Sequence, residues 1–160
     1  ALSMAQPSIR LPQTYSGAEA LANSVDSHPG YSVYFDYRVD ILRRRNRVTA
    51  VHGGRQIAQS DRALLVDEQD HGLVFYFPKE DVDFSALKPM PGHHTRCPWK
   101  GEASYWSLAD GEEPVAWAYE DPLPQVAQIA DHLAFYQNIV TVSLGVAKYL
   151  PRWNAGAAKA

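Results

Sequence analysis

From Tyr31 the chain alternates. Tyr31, Val33 and Phe35 are apolar or aromatic, and Ser32, Tyr34 and Asp36 stand between them. A period of two places successive side chains on opposite faces, so this stretch predicts a strand. Arg47-Val48-Thr49-Ala50-Val51 and Arg55-Gln56-Ile57-Ala58 repeat the pattern around His52-Gly53-Gly54. Paired glycines tolerate positive φ, and the segment predicts a tight hairpin. Ala63 to Val66 continues the β pattern, and Leu73-Val74-Phe75-Tyr76-Phe77 is β-branched and aromatic until Pro78 stops it. Glu80 to Leu87 predicts a short helical turn. Tyr105 to Leu108, a turn at Asp110-Gly111, and Val115 to Tyr119 predict a second hairpin.

The period then lengthens. Val126, Ile129, Ala130, Leu133, Tyr136 and Val140 follow i, i+3, i+4, i+7 spacing. Asp121 before Pro122 suits an N-cap with proline in the first turn. This predicts one C-terminal amphipathic helix of about four turns. Strands followed by one late helix give a mainly β (α+β) domain built on antiparallel sheet. The expected organisation is an arm over residues 1–29, one domain over 30–142, and a tail over 143–160 that adds a strand or covers an edge. Gly17 to Val25 in the arm is read as a short helix.

Composition narrows the function classes. With 160 residues, 46% of them hydrophobic, the chain can build one real core. The net charge of −3 gives no basic excess for a nucleic-acid partner. Arg43-Arg44-Arg45 with Arg47 is read as a solvated strand or turn. A single cysteine excludes an intrachain disulfide and any zinc site built on two or four cysteines of the chain. There is no apolar run of about 18 residues to span a membrane, and no basic-then-apolar leader pattern. The expectation is a soluble, cytoplasmic protein of bacterial type.

Several groups are candidates for chemistry. Cys97 lies near Arg96 and Lys100, and a neighbouring cation lowers a thiol pKa; a lone cysteine is equally a small buried residue. His93 and His94 would form an H-H-x-x-C cluster with Cys97, but no second ligand pair exists, so no metal site and no cofactor are assigned. Glu80 and Asp81 follow the end of a strand. They are candidates for acid–base work, or for first-turn residues matching a helix dipole. Trp99, Tyr105, Trp117 and Tyr119 fill a core or line a pocket. Trp106 points to the face opposite Tyr105. No phosphate-binding loop, nucleophile elbow or H-E-x-x-H motif occurs.

The set Ser60, Arg62-Ala63-Leu64, Glu68, Tyr76-Phe77-Pro78-Lys79-Glu80-Asp81-Val82, Cys97-Pro98-Trp99-Lys100-Gly101, Ala103-Ser104-Tyr105, Ala116-Trp117-Ala118-Tyr119-Glu120-Asp121-Pro122 and Phe135-Tyr136 resembles domain of unknown function family 427. That family is sometimes labelled nucleotidyltransferase-like. The resemblance covers residues 30–140. It departs at Glu113-Pro114, where the family tends to have Glu-Asn. It implies a β-tent-like fold, in which two antiparallel sheets meet at an angle. Proteins of that shape include methionine sulfoxide reductase B, which holds zinc through two CxxC pairs missing here, and the cereblon ligand-binding domain with its aromatic cage.

Three functions follow as expectations. The first is a small-molecule-binding domain with an aromatic groove between its sheets. Trp99, Tyr105, Trp117 and Tyr119 would be the walls, and Arg62, Glu68 and Lys100 the polar contacts. The second is an enzyme acting through Cys97, Lys100, Glu68 or Glu80. The third is a homodimer formed through the arm or the tail.

Overall fold

The computed structural model describes residues 28–147. The predicted helix of residues 17–25 lies outside them, as does the chain beyond Ala147. Ten strands carry the described residues: β1 (Val39–Arg43), β2 (Asn46–His52), β3 (Arg55–Ser60), β4 (Leu64–Glu68), β5 (Gly72–Pro78), β6 (Leu87–Cys97), β7 (Gly101–Leu108), β8 (Pro114–Ala118), β9 (His132–Phe135) and β10 (Thr141–Ala147). Short 3-10 turns at Gly30–Ser32, Lys79–Asp81, Phe84–Ala86 and Pro124–Ile129 connect or cover them. Seven strands form one antiparallel sheet in the order β1-β4-β5-β9-β8-β7-β6, and three form a second in the order β10-β2-β3. The mainly β, two-sheet expectation is met.

The Gly53-Gly54 hairpin forms as its sequence requires. Both glycines take positive φ, 55° and 78°, and His52 pairs with Arg55. These angles suit a type I′ turn, whose twist matches that of the flanking strands.

Alternation along the strands gives the large sheet two different faces. One face carries Phe77, Val115, Ala116, Ala118, Leu133 and Phe135. It packs on Val48, Ala50, Ile57 and Ala58 of the small sheet to make the inter-sheet core. The other, outer face carries Leu64, Val66, Tyr76, Ala103, Tyr119 and Ala134, covered in part by Val126 and Ile129. Trp106 packs on the inter-sheet side and Tyr105 on the outer side, as the period of two predicts.

The predicted amphipathic helix is not present. Its residues form the 3-10 turn Pro124–Ile129, interrupted at Val126 (φ −127°), then strand β9. Asp131 takes a left-handed φ of 57° between them. A helical stripe would serve one core, but these positions serve two. Val126 and Ile129 fill the outer cluster, while Leu133 and Val140 fill the inter-sheet core. The 3.6-residue spacing arises from three separate pieces of chain.

The predicted strand at Tyr31 is likewise replaced by a 3-10 turn and bends. Val33 and Phe35 point to solvent, 57% and 84% exposed, so the alternation has no buried side. The first strand starts instead at Val39. The eleven-residue β6 went unread because Pro89, Pro91 and Gly92 break its pattern. As an edge strand it tolerates proline, and a register shift between Pro89 and His94 absorbs the irregularity. β10 pairs with β2, so the described part of the predicted tail, from 143 to Ala147, adds a strand.

Candidate functional site

β4 lies beside one edge of the large sheet, and the β6–β7 turn belongs to the opposite edge. Yet Lys100 of that turn contacts Glu68 at the end of β4 through Nζ and Oε2. The large sheet therefore curls, and its two ends meet across the outer face. No backbone pairing joins β1 to β6 among the described residues, so the curl is not a closed barrel. Side chains close it.

The closing contacts are specific. Each side chain of the Lys100–Glu68 pair is only 8% exposed, whereas every other ion pair among the described residues has at least one partner well exposed. Lys100 Nζ also lies 5.8 Å from the Tyr119 ring centre, a cation–π contact. The Tyr37 hydroxyl donates to Gln69 O at 2.8 Å and lies 3.3 Å from Glu68 Oε1. Its ring stacks on Trp99 at 3.9 Å and 6°. Main-chain Leu123 N donates to Lys100 O at 3.0 Å, fixing the turn from the other side. Gly101 is required here. Its φ is 106°, and a Cβ would stand 3.3 Å from Asp121 O.

A second group of rings stands on the outer face, along one row of the sheet. Leu64 pairs with Tyr76, Tyr76 with Ala134, Ala134 with Trp117, and Trp117 with Tyr105. The Trp117 indole N–H donates to the Tyr76 hydroxyl at 3.1 Å. Tyr136 lies 4.8 Å from Trp117 and His93 4.7 Å from Tyr105, centre to centre. Tyr105 and Thr95 share a hydroxyl hydrogen bond of 2.6 Å. Tyr76 is fully buried; Tyr105, Trp117 and Tyr136 are half-buried and form the accessible part of the row. These residue types combine ring faces with phenol, indole and hydroxyl groups, and most of the hydrogen-bonding partners are one another.

Residues 40–145 match the family model described as Domain of unknown function (DUF427). The chain belongs to the DUF427 family. No curated protein matches it. The match runs from β1 to β10 and so takes in both sheets of this DUF427 domain, the Lys100–Glu68 pair and the ring row.

Of the residues singled out in the sequence, Glu68, Trp99, Lys100, Tyr105, Trp117 and Tyr119 all belong to the outer face or its closing turn. Arg62 does not join them. It is exposed and binds Glu80 at 2.7 Å and Asp81 at 3.3 Å. Those carboxylates stand in the first turn of the 3-10 helix Lys79–Asp81, as expected, make no side-chain capping hydrogen bond there, and both pair with Arg62. Glu80 thus sits with Arg62 beside a shallow groove of about 290 Å³ lined by Gln56 to Gln59 and Glu80 to Asp83. Nearby Lys79 binds both oxygens of Glu120 at 2.6 Å and lies 5.4 Å from the Trp106 ring centre. His93, His94 and Cys97 do not converge: His93 turns to Tyr105, His94 lies 3.7 Å from Glu102, and Cys97 is half-buried against the outer cluster.

Sequence reading missed Tyr37, Tyr76 and Tyr136. Tyr76 and Tyr136 stood inside quoted motifs, but a strand and a helix were assigned to them without a partner. Tyr37 had no signal, because its role depends on a ring 62 positions away.

Burial is the largest cause that holds these phenols neutral. It raises the pKa of Tyr76 and Tyr119 well above the ordinary 10.0. It does so for Tyr37 too, where the Glu68 carboxylate adds to it, and it pushes Tyr136 up to about 12. The sign follows from linkage. A phenol whose pKa is higher folded than unfolded contributes stability that is fully present below pH 10 and declines as pH rises toward its folded value. Denaturant midpoints should therefore hold steady up to pH 10 and fall above it. Tyr136→Phe should reduce the part of that fall lying between pH 10 and 12. An unchanged slope in the variant would show that Tyr136 titrates normally.

Proposed function

We propose that this domain binds a small molecule on the outer face of its curled sheet. Tyr105, Trp117 and Tyr136 form the wall, and the Lys100–Glu68 pair with Tyr119 stands at its closed end. The observation that carries this reading is the buried ion pair. Two desolvated charges are poor stabilisers compared with apolar side chains of the same size. A buried charge pair that stability does not account for, set beside a row of half-buried rings, supports a functional role for that face. The rings supply apolar walls, and their hydroxyl and indole groups supply the few polar contacts that orient a ligand.

The finer architecture proposed is the β-tent-like arrangement, with the two sheets inclined on the inter-sheet core. The site proposed lies on the outer face of the larger sheet rather than in the space between the sheets, because that space is filled by Phe77, Phe135 and Leu133. Arg62 is left out of the binding set. The nucleotidyltransferase-like label attached to the family gains no support from a glycine-rich phosphate loop, since Gly53-Gly54 is the β2–β3 turn.

A thermal-shift screen of a metabolite library against the wild type and Trp117→Ala tests the proposal. A compound that raises the wild-type midpoint and leaves the variant unmoved supports it. Compounds that shift both proteins equally count against it.

A further inference from the structure

Residues 28–37 run across the turn that carries Lys100. Their backbone joins no sheet. Its hydrogen bonds are mainly local ones, from Ser32 N to Pro29 O, Val33 N and Tyr34 N to Gly30 O, and Tyr37 N to Tyr34 O. What fixes the segment is side-chain contact with the turn. His28, Tyr31, Tyr34 and Tyr37 surround Trp99 at ring-centre distances of 5.3, 5.0, 6.2 and 3.9 Å. The Tyr31 hydroxyl reaches Trp99 O at 3.4 Å, and Tyr37 reaches Glu68 and Gln69. Gly30 lies so close to the turn that a Cβ would stand 2.9 Å from Pro98 O, and its φ is 54°.

The other side of the segment is bare. Val33 and Phe35 are 57% and 84% exposed, and Tyr34 keeps half of its surface free, so no other described residue covers this side of the segment. A layer with no sheet pairing and few buried apolar contacts belongs to the low end of local stability. The sheet ladders and both hydrophobic clusters contain no residue of 28–37. The segment also precedes the residues matched by the family model, which start at 40.

We propose that residues 28–37 are a strap that opens as a unit from the β6–β7 turn, and that this opening uncovers Lys100 and Glu68. The uncovered pair is what a ligand would reach, a consequence that rests on the binding reading above; the opening itself does not. Gly30 is the point of control, because it alone allows the strap to lie against Pro98 without steric conflict.

The test uses Cys97, two residues before Trp99 and half-buried in the outer cluster, as a reporter. Labelling by a bulky disulfide reagent and acetylation of Lys100 are followed by mass spectrometry under native conditions, with no ligand present. In Gly30→Ala both rates should rise by about 10-fold or more, while amide exchange in β2 and β3 stays at the wild-type rate. Tyr37→Phe keeps the stack and loses the hydroxyl contacts, so it should give a smaller rise in the same direction. Wild-type labelling rates in both variants would overturn the strap. So would a rise matched by equal acceleration in β2 and β3, because the opening would then be global unfolding. A strap that opens in these measurements while no ligand is found would sink the binding reading alone.

Discussion

Lys100→Met should destabilise the domain by about 3–5 kcal/mol, the usual cost of removing one partner from a buried ion pair. The loss does not come from the attraction alone. Glu68 would be left desolvated, with the Tyr37 hydroxyl 3.3 Å away but donating its shorter hydrogen bond to Gln69 O. Methionine is unbranched, flexible and only one atom shorter than lysine, so little cavity forms and the effect is mainly electrostatic. Glu68→Leu should cost a comparable amount, since the ammonium is then stranded. The double variant should recover most of the loss and come within about 1 kcal/mol of the wild type, as apolar replacement of buried pairs commonly does. Chemical denaturation of the four proteins measures the cycle. If the two single losses simply add in the double variant, the pair is not coupled and the closed end of the site is wrongly described.

Trp99→Ala should cost about 3 kcal/mol, the lower end of the range for truncating a buried tryptophan. Trp99 is 9% exposed and touches four rings, three of them edge-on and one stacked. Aromatic pairs add to simple area burial. The cost stays at the low end because the strap can leave instead of collapsing into the void. Two observables separate these responses. Amide exchange over residues 28–37 should accelerate far more than exchange in β5 and β9, whose pairing Trp99 does not touch. Uniform acceleration would place Trp99 in the global core. Trp99→Phe should restore part of the loss, because a smaller ring can still stack on Tyr37.

These two sites also mark how much was legible in the sequence. The hairpin at Gly53-Gly54 and strands such as β5 could be read because alternation and turn chemistry are local. Lys100 and Trp99 could be singled out within the motif around Cys97, and the structure places both at the closing turn. Glu68 was identified as a polar candidate, but its pairing with Lys100 depends on the curl of a seven-stranded sheet. No window of sequence encodes that curl. The helix assigned to residues 126–140 failed for a related reason. Val126, Ile129, Leu133 and Val140 have helical spacing, yet they are shared between two cores on opposite sides of one sheet. Periodicity reports that positions are buried; it does not report that they face the same partner. Tyr31 to Asp36 shows the converse. Its alternation is genuine, but the rings of the strap turn toward Trp99 and the apolar residues between them face water.

Sequence reading makes Arg62 a binding contact and Glu80 an acid–base candidate, and the structure pairs them with each other away from the ring row. The division is physical. An exposed guanidinium beside two exposed or partly exposed carboxylates contributes little to stability, whereas Lys100 and Glu68 are held out of water by the strap and the turn. Burial separates the two groups, and burial was the property the sequence expressed least.

The central claim, that the outer face is the binding surface, is tested most directly by mapping where a compound from the thermal-shift screen sits. Backbone amide chemical shifts of the labelled protein, titrated with that compound, give the answer. The account predicts perturbations concentrated at Thr95, Lys100, Tyr105, Trp117, Tyr119 and Tyr136. Perturbations confined to the groove formed by Gln56 to Gln59 and Glu80 to Asp83, with the outer face silent, would contradict it.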